Sequence, residues 1–414
     1  MQARKDAAIL GGGLVGLIQA LALARHGLSC TVIERSDMQA MRNPAGDGRA
    51  SALASTSWQL LANLGLADAL APSICPIERI SVCEALKPGA LDFAAEGGSI
   101  DTEPHAGGYM GVMIANDALR AALFEAVCAQ PLIEVLAGAS AEDWNIDDHG
   151  VTIGLGDGRK VTASLLISAE GRNSRVRERA GIAMTHWRYD QGAMTGTIDL
   201  EQPHDFAAFE IFYCDGPLAI LPLLDDQGQP KRASFVWTVP QDRLEAMLAL
   251  SDRAFAAHIE KAMGGFLGKI APVSPRSGFP LGLHQAASLT AQRVALVGDA
   301  GHGIHPIAGQ GLNLGLRDAA ALAEVLGDGV LLGLDAGDAQ LLARYERWRA
   351  MDIGMMTMAT DGLVRLFGVP GKTASAVRRF GMSLVEKSPA AKRFFIAEAR
   401  GESGELPRLL QPAL

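Results

Sequence analysis

The apolar pattern of the first forty residues is broken into short units by glycine. Residues 6–10 (DAAIL) read as a short apolar strand, and residues 14–27 (LVGLIQALALARHG) as an apolar helix stopped by Gly27. Residues 29–33 are a second strand, ending at Glu34. Together they predict a βαβ unit.

Further along, residues 43–57 (NPAGDGRASALASTS) read as a small-residue loop entering a helix, with Arg49 as its only cation. Residues 58–71 look helical. ERISVCEA and GALDFA look like strands around a Pro-Gly turn at 88–89. Residues 107–114 are apolar and strand-like, and Asn116-Asp117 reads as a helix cap ahead of ALRAALFEAVCA. IEVLAG, GVTIGLGDG and KVTASLLISAEG alternate as strands do, with Asp157-Gly158 as a hairpin turn. This is a β-meander attached to the βαβ sheet.

Residues 183–277 change character. MTGTIDL, FEIFYC, GPLAILPLL and ASFVWTV are strands, 225–231 is a hairpin loop, and PQDRLEAMLALSDRAFAAHIEKAM reads as one or two helices. A separate sheet with a helical cover is expected there, on the substrate side. RVALVG at 293–298 is the last core strand, and a long helical region runs from Ala319 to about Phe367. The tail places Lys387, Lys392 and Arg393 beside LFG, FFIA and LPRLL. That fits an amphipathic membrane or partner contact, or a packed helical tail.

The expected class is α/β with α+β elements. A Rossmann-like nucleotide domain with a β-meander is built from 1–75, 105–182 and 278–365. A mixed-sheet substrate domain takes 76–104 and 183–277, and 366–414 form a helical C-terminal region.

Composition narrows the function classes. At 414 residues, 49% hydrophobic and 20% charged, the chain is globular and long enough for two domains. A net charge of −9 argues against a nucleic-acid surface. Five cysteines, none spaced C-x-x-C, argue against a disulfide framework or zinc site and fit a reducing cytoplasm. Arg4 and Lys5 ahead of the apolar run 7–24 imitate a secretory leader. Asp6, the four glycines within 11–16 and the following strand favour strand, turn and helix instead. No other segment reaches the ~20 apolar residues of a membrane span.

Two stretches carry chemistry. Gly11-Gly12-Gly13-Leu14-Val15-Gly16 matches G-x-G-x-x-G between strand and helix, with Glu34 and Arg35 about 20 positions on. Gly11 allows the turn, Gly13 lets the backbone approach a pyrophosphate, and Gly16 lets the helix pack on the strand. The helix N-terminus attracts the phosphate, and Glu34 suits ribose hydroxyls. The motif alone does not separate FAD from NAD. Residues 298–318 (GDAGHGIHPIAGQGLNLGLRD) set one carboxylate, Asp299, at a strand end, then a loop with few side chains, then a helix. His302 and His305 read as structural. No metal cluster and no nucleophile motif stands out. In 165–177 (LLISAEGRNSRVR), strand, small residue, acid and glycine recur, as a loop held against a cofactor cleft or as an ordinary strand end.

In that order, GGGLVG with Glu34, SAEGRNSRVR and GDAGHGIHPIAGQGLNLGLRD resemble the ubiquinone-biosynthesis hydroxylases, FAD-dependent aromatic monooxygenases of the p-hydroxybenzoate hydroxylase fold. GPLAILPL and FPLGLHQA are similar to that family as well. The resemblance implies FAD, bound by Gly11, Gly13, Leu14, Val15, Gly16, Glu34, Arg35 and Arg49, with Asn116 a polar position near the flavin. Asp299 would hold the ribityl chain, and Pro306, Gly309, Gly311, Leu312 and Asn313 would lie beside the ring. Glu170 departs from the usual aspartate, and Gly301 stands where a second alanine is common.

The implied reaction is ring hydroxylation of a polyprenylated phenol by a flavin C4a-hydroperoxide, with O2 and transient NADH or NADPH. No catalytic base can be named from the residues. An FAD-dependent oxidase or reductase of the same fold, or a non-catalytic FAD-binding scaffold subunit, are the alternatives. A cytoplasmic location is implied. Peripheral contact with the inner face of the membrane, a homo-oligomer and a complex with other quinone-biosynthesis enzymes stay open.

Overall fold

A computed structural model describes residues 4–44, 48–87, 91–94 and 108–412. The predicted βαβ unit forms as β1 (Lys5–Leu10), α1 (Leu14–Arg25) and β2 (Cys30–Glu34). α1 is apolar on nearly every side because it is enclosed: Leu17, Ile18, Ala20, Ala22 and Leu23 are fully buried. Gly27, at φ +79°, ends it in the left-handed region that favours glycine.

β1 lies at the centre of the nucleotide sheet. It pairs in parallel with β2 on one side and with strand Lys160–Ser168 on the other. Strand Ile133–Ala137 extends the sheet in parallel beyond β2, and Val294–Leu296 does so beyond Lys160–Ser168. The meander is Ala141–Ile146, Val151–Leu155 and Lys160–Ser168, paired antiparallel. IEVLAG therefore belongs to the parallel core and not to the meander, whose first strand is AEDWNI. That strand escapes notice in the sequence because only Ala141 and Trp144 are buried in it.

Residues 43–57 are not simply a loop. Ala50–Ala54 is a strand, paired antiparallel with Gly111–Ala115, which also pairs with Ile74–Ile77. Its side chains are too small to give a hydrophobic alternation. The helical stretch after it is two helices, Ser55–Asn63 and Ala67–Leu70, parted by Gly65 at φ +80°. The Pro88-Gly89 turn lies outside the described residues, although its flanking strands Arg79–Glu84 and Leu91–Ala94 do pair.

The second large sheet contains Met184–Leu200, Ala207–Tyr213, Gly216–Leu223, Arg232–Pro240 and Ser277–Ala286. Ser277–Ala286 hydrogen-bonds to Met184–Leu200, so the segment after 278 begins in this sheet and not in the nucleotide sheet. Helices Gln241–Leu248 and Asp252–Met263 cover the outer face through Phe255, Ile259 and Met263. The long helical region starts earlier than expected, as Gln310–Leu331 and Ala339–Gly368. Helices Lys372–Lys387 and Pro389–Arg400 form the tail.

Candidate functional site

At the end of β1, Gly11 adopts φ +106°, and a Cβ there would lie 2.5 Å from the Ala169 carbonyl oxygen. A Cβ on Gly16 would lie 1.9 Å from the Gly11 carbonyl. Both glycines serve close backbone packing. Gly13 differs: a Cβ there meets nothing within 4 Å. Gly13 is the N-cap of α1 and supplies no side-chain cap, so first-turn N–H groups face open space. Those groups and the helix dipole could hold a pyrophosphate.

Glu34 flanks this cradle. One carboxylate oxygen accepts the Gly12 N–H at 2.7 Å and the other the Ser36 N–H at 2.8 Å. Burial alone would raise its pKa, but these N–H bonds and the Arg35 charge hold it below the ordinary carboxylate value. It is an ionised acceptor at the strand end, as the ribose role requires. Arg35 itself is exposed beside it.

The second segment begins where Val294–Leu296 ends. Gly298, at φ +59°, opens a 3₁₀ turn to Ala300 whose middle residue, Asp299, points its carboxylate outward. The Asp299 carbonyl accepts a hydrogen bond from His284 Nε2 at 2.9 Å. Half-buried Pro306 leads into the turn Ile307–Gly309 and helix Gln310–Leu331. Gly309 is left-handed at φ +63°, and a Cβ on Gly311 would meet nothing within 4 Å. Half-buried Leu312 follows. The two segments meet at Val15. Its Cγ2 lies 3.3 Å from where a Gly298 Cβ would stand and 3.0 Å from where a Gly315 Cβ would stand. The open, side-chain-poor backbone around this junction fits a long flat dinucleotide.

Other expected residues serve the frame. Buried Asn313 spends its amide on backbone: Oδ1 accepts the Ala54 N–H at 2.9 Å, and Nδ2 donates to the Ala52 carbonyl at 3.0 Å. Asn116 is the first residue of helix Asn116–Ala129, not its cap. The cap is Ala115, without a side-chain bond, and Asn116 Oδ1 accepts the Ser51 hydroxyl at 2.6 Å. Arg49 is exposed at a cavity of about 290 Å³ that Asp117, Thr197 and Arg232 also line. Glu170 accepts from Ser174 Oγ and the Val176 N–H, both at 3.1 Å, and so shapes the loop into helix Arg175–Arg179.

A buried ionic cluster escaped the sequence reading. Asp318 accepts from His302 Nε2 at 2.6 Å, the Gly298 N–H at 2.9 Å and Arg349 Nε at 2.7 Å. Arg349 also pairs with Asp352, which pairs with Arg317 at 3.1 Å. Asp318 ends the motif GLNLGLRD, and that acid was the available signal. His302 is structural, as expected. His305 is fully buried, edge-on to Tyr189 at 5.2 Å, and its Nδ1 accepts the Ile307 N–H. Burial pushes it down to about 4, so the ring is neutral. Tyr189 donates to Asp361 at 2.9 Å.

Comparison with known proteins agrees with this geometry. The family model described as FAD binding domain matches residues 4–359. Ubiquinone hydroxylase UbiL of Rhodospirillum rubrum is 40% identical over 98% of this chain and 92% of its own length. The 3-demethoxyubiquinol 3-hydroxylase of Escherichia coli is 32% identical over 96% of this chain and 98% of its own. The crystal structure of p-nitrophenol 4-monooxygenase PnpA from Pseudomonas putida DLL-E4 has the same fold, with a TM-score of 0.78 at 18% identity over 96% of this chain and 98% of that one. The chain belongs to the FAD-binding-domain family, among the ubiquinone-biosynthesis hydroxylases, and FAD is its cofactor.

Proposed function

We propose that this chain hydroxylates the aromatic ring of a polyprenylated phenol in ubiquinone biosynthesis, using O2 and NADH or NADPH. The observation that carries this reading is the meeting, at Val15, of the Gly11–Gly16 turn with the 298–315 segment. It occurs in a chain 40% identical to a ubiquinone hydroxylase. Bound FAD supplies the redox chemistry, taking electrons from the nicotinamide and activating O2.

The chain's own residues bind, orient and exclude water. Gly11, Gly13, Leu14, Val15 and Gly16 cradle the pyrophosphate, Glu34 takes the adenosine ribose with Arg35 beside it, and Arg49 approaches from the second sheet's side. Asp299 accepts the ribityl hydroxyls. Pro306, Gly309, Gly311 and Leu312 bring backbone to the ring, where the N-terminus of helix Gln310–Leu331 stabilises negative charge. Asn313 and Asn116 act one step back, by holding strand Ala50–Ala54 in place. Ile80, Val82 and Leu221 make the facing wall apolar.

The working place of the enzyme is a membrane surface. No helix among the described residues is long and apolar enough to cross a membrane. Yet Val377, Phe380 and Leu384 form an exposed stripe at helical spacing on Lys372–Lys387, and Phe394 and Phe395 are exposed on the next helix. Arg379, Lys387 and Arg393 lie among them, a composition suited to an anionic bilayer surface.

A deletion strain tests the reading. Mass spectrometry is expected to show a prenylated precursor lacking one ring oxygen. Normal ubiquinone without the gene would refute it.

A further inference from the structure

The sheet built on Met184–Leu200 turns one face toward the 305–309 loop. On strand Ala207–Tyr213, Phe209, Ile211 and Tyr213 pack outward with Phe255, Ile259 and Met263. Ala208, Glu210 and Phe212 alternate with them and face inward. Phe212 packs with Ile307 and stacks on Phe367 at 3.9 Å. Glu210 stands in register with Val82 on one side and Ala219 on the other. Val82 packs against the same cluster that holds Ile307. A carboxylate thus sits in an apolar wall beside the turn assigned to the flavin ring.

Among the described residues, other titratable groups near this space are paired or neutral. Glu84, on the neighbouring strand, pairs with Arg378 of helix Lys372–Lys387 at 2.7 Å. Asp361, on helix Ala339–Gly368, holds Tyr189 and pairs with Arg365 at 2.7 Å. His305, on the loop, is neutral. Glu210 has no hydrogen bond or ion pair among the described residues. Burial pushes it up to about 7, with no charged neighbour contributing among the described residues. Glu210 is half-buried, so its carboxyl opens onto the space in front of the apolar wall, where a ligand's hydroxyl can reach it.

We propose that Glu210 is the catalytic base that accepts the proton of the substrate's ring hydroxyl. This rests on the ring-hydroxylation reading above. The phenol O–H bond breaks, the proton passes to a Glu210 oxygen, and the electron pair stays on the ring oxygen. Carboxylate and phenol become carboxylic acid and phenolate, with no change in total charge. The phenolate enriches the ortho and para carbons, which then accept an electrophilic oxygen. Aromaticity returns as the C–H bond at the oxygenated carbon breaks and its proton leaves to solvent, while the proton held by Glu210 goes back to the ring oxygen and Glu210 is again a carboxylate.

The test uses the FAD-loaded full chain and its Glu210→Gln and Glu210→Asp variants. Binding of a short-chain prenylated phenol and of its O-methyl ether is measured by equilibrium dialysis as pH is varied. The wild type is expected to prefer the phenol about tenfold, as a charge-assisted hydrogen bond allows. The preference should fade as pH falls through about 7. Glu210→Gln should lose that pH dependence at unchanged FAD content. Its hydroxylated product per NAD(P)H consumed should fall on the order of 100-fold, with partial recovery in Glu210→Asp. A Glu210→Gln protein with wild-type product yield and wild-type pH dependence overturns the assignment while leaving ring hydroxylation intact. A wild-type protein that neither binds nor hydroxylates any prenylated phenol overturns both.

Discussion

Arg349 Nε lies 2.7 Å from Asp318 Oδ1, and both side chains are fully buried. The other Asp318 oxygen receives His302 and the Gly298 N–H, so one carboxylate ties two long helices to the start of the Asp299 turn. Burial alone would raise the Asp318 pKa, but the His302 and Arg349 charges outweigh it and hold the carboxyl below its ordinary value. A folded value below the unfolded one stabilises the fold above about pH 4, and the contribution disappears as pH falls through the folded value. Asp318→Asn leaves the Arg349 charge buried and should cost about 3–5 kcal/mol in urea unfolding. The double variant Asp318→Asn, Arg349→Met should cost less than the two singles summed. Additive losses would show that the contact carries no coupling.

Variants at Gly13 and Gly16 should separate the proposed phosphate binding from folding. Gly13 sits in ordinary extended backbone with free space in front of it, so Gly13→Glu should fold normally and purify colourless. Gly16→Ala must push a methyl to 1.9 Å from a carbonyl oxygen and should lower Tm or abolish soluble protein. A yellow, fully loaded Gly13→Glu protein would contradict the cradle.

Asn313 acts through strand Ala50–Ala54. Asn313→Leu strands the Ala54 N–H and the Ala52 carbonyl, at about 1–3 kcal/mol for each buried group left unpaired. Hydrogen exchange of the Ala54 amide should quicken, with FAD lost on dilution. Unchanged exchange would remove the staple role.

Phe380→Asp combined with Phe394→Asp should reduce sedimentation with anionic phosphatidylserine vesicles at least tenfold and leave Tm within about a degree, since both side chains are exposed. Equal sedimentation would exclude these helices as the contact.

Much of this arrangement was legible along the chain. The strand, turn, helix and acid of residues 6–34 are local, although the backbone that crowds Gly11 belongs to the distant Ala169. The 298–318 stretch was legible as strand end, turn and helix start because glycine and proline punctuate it locally. Strand Ala50–Ala54 was hidden because small residues give no period. Its pairing with Gly111–Ala115 depends on residues sixty positions away. Asp318 and Arg349 are 31 residues apart on different helices, and neither stands out alone. Glu210 is the one charged residue of the FEIFY strand and gives no sign of its role in sequence; the alternation turns it inward and sends Phe209 and Ile211 to the helical cover.

The chain's last turn returns to the nucleotide domain. Asn63 Nδ2 donates to the Leu409 and Gln411 carbonyls at 2.8 and 2.9 Å, the Arg408 N–H reaches Glu324 at 2.6 Å, and Leu409 and Leu410 are buried. Helices Lys372–Lys387 and Pro389–Arg400 are therefore clamped at both ends, a pad and not a tether. If Phe380 and Phe394 dock on a surface, the packing of their helices sets its distance from the 305–309 loop. A substrate with a long apolar chain would have to span that distance, since the Glu84–Arg378 ion pair and the Asn63 contacts hold the two helices against the body.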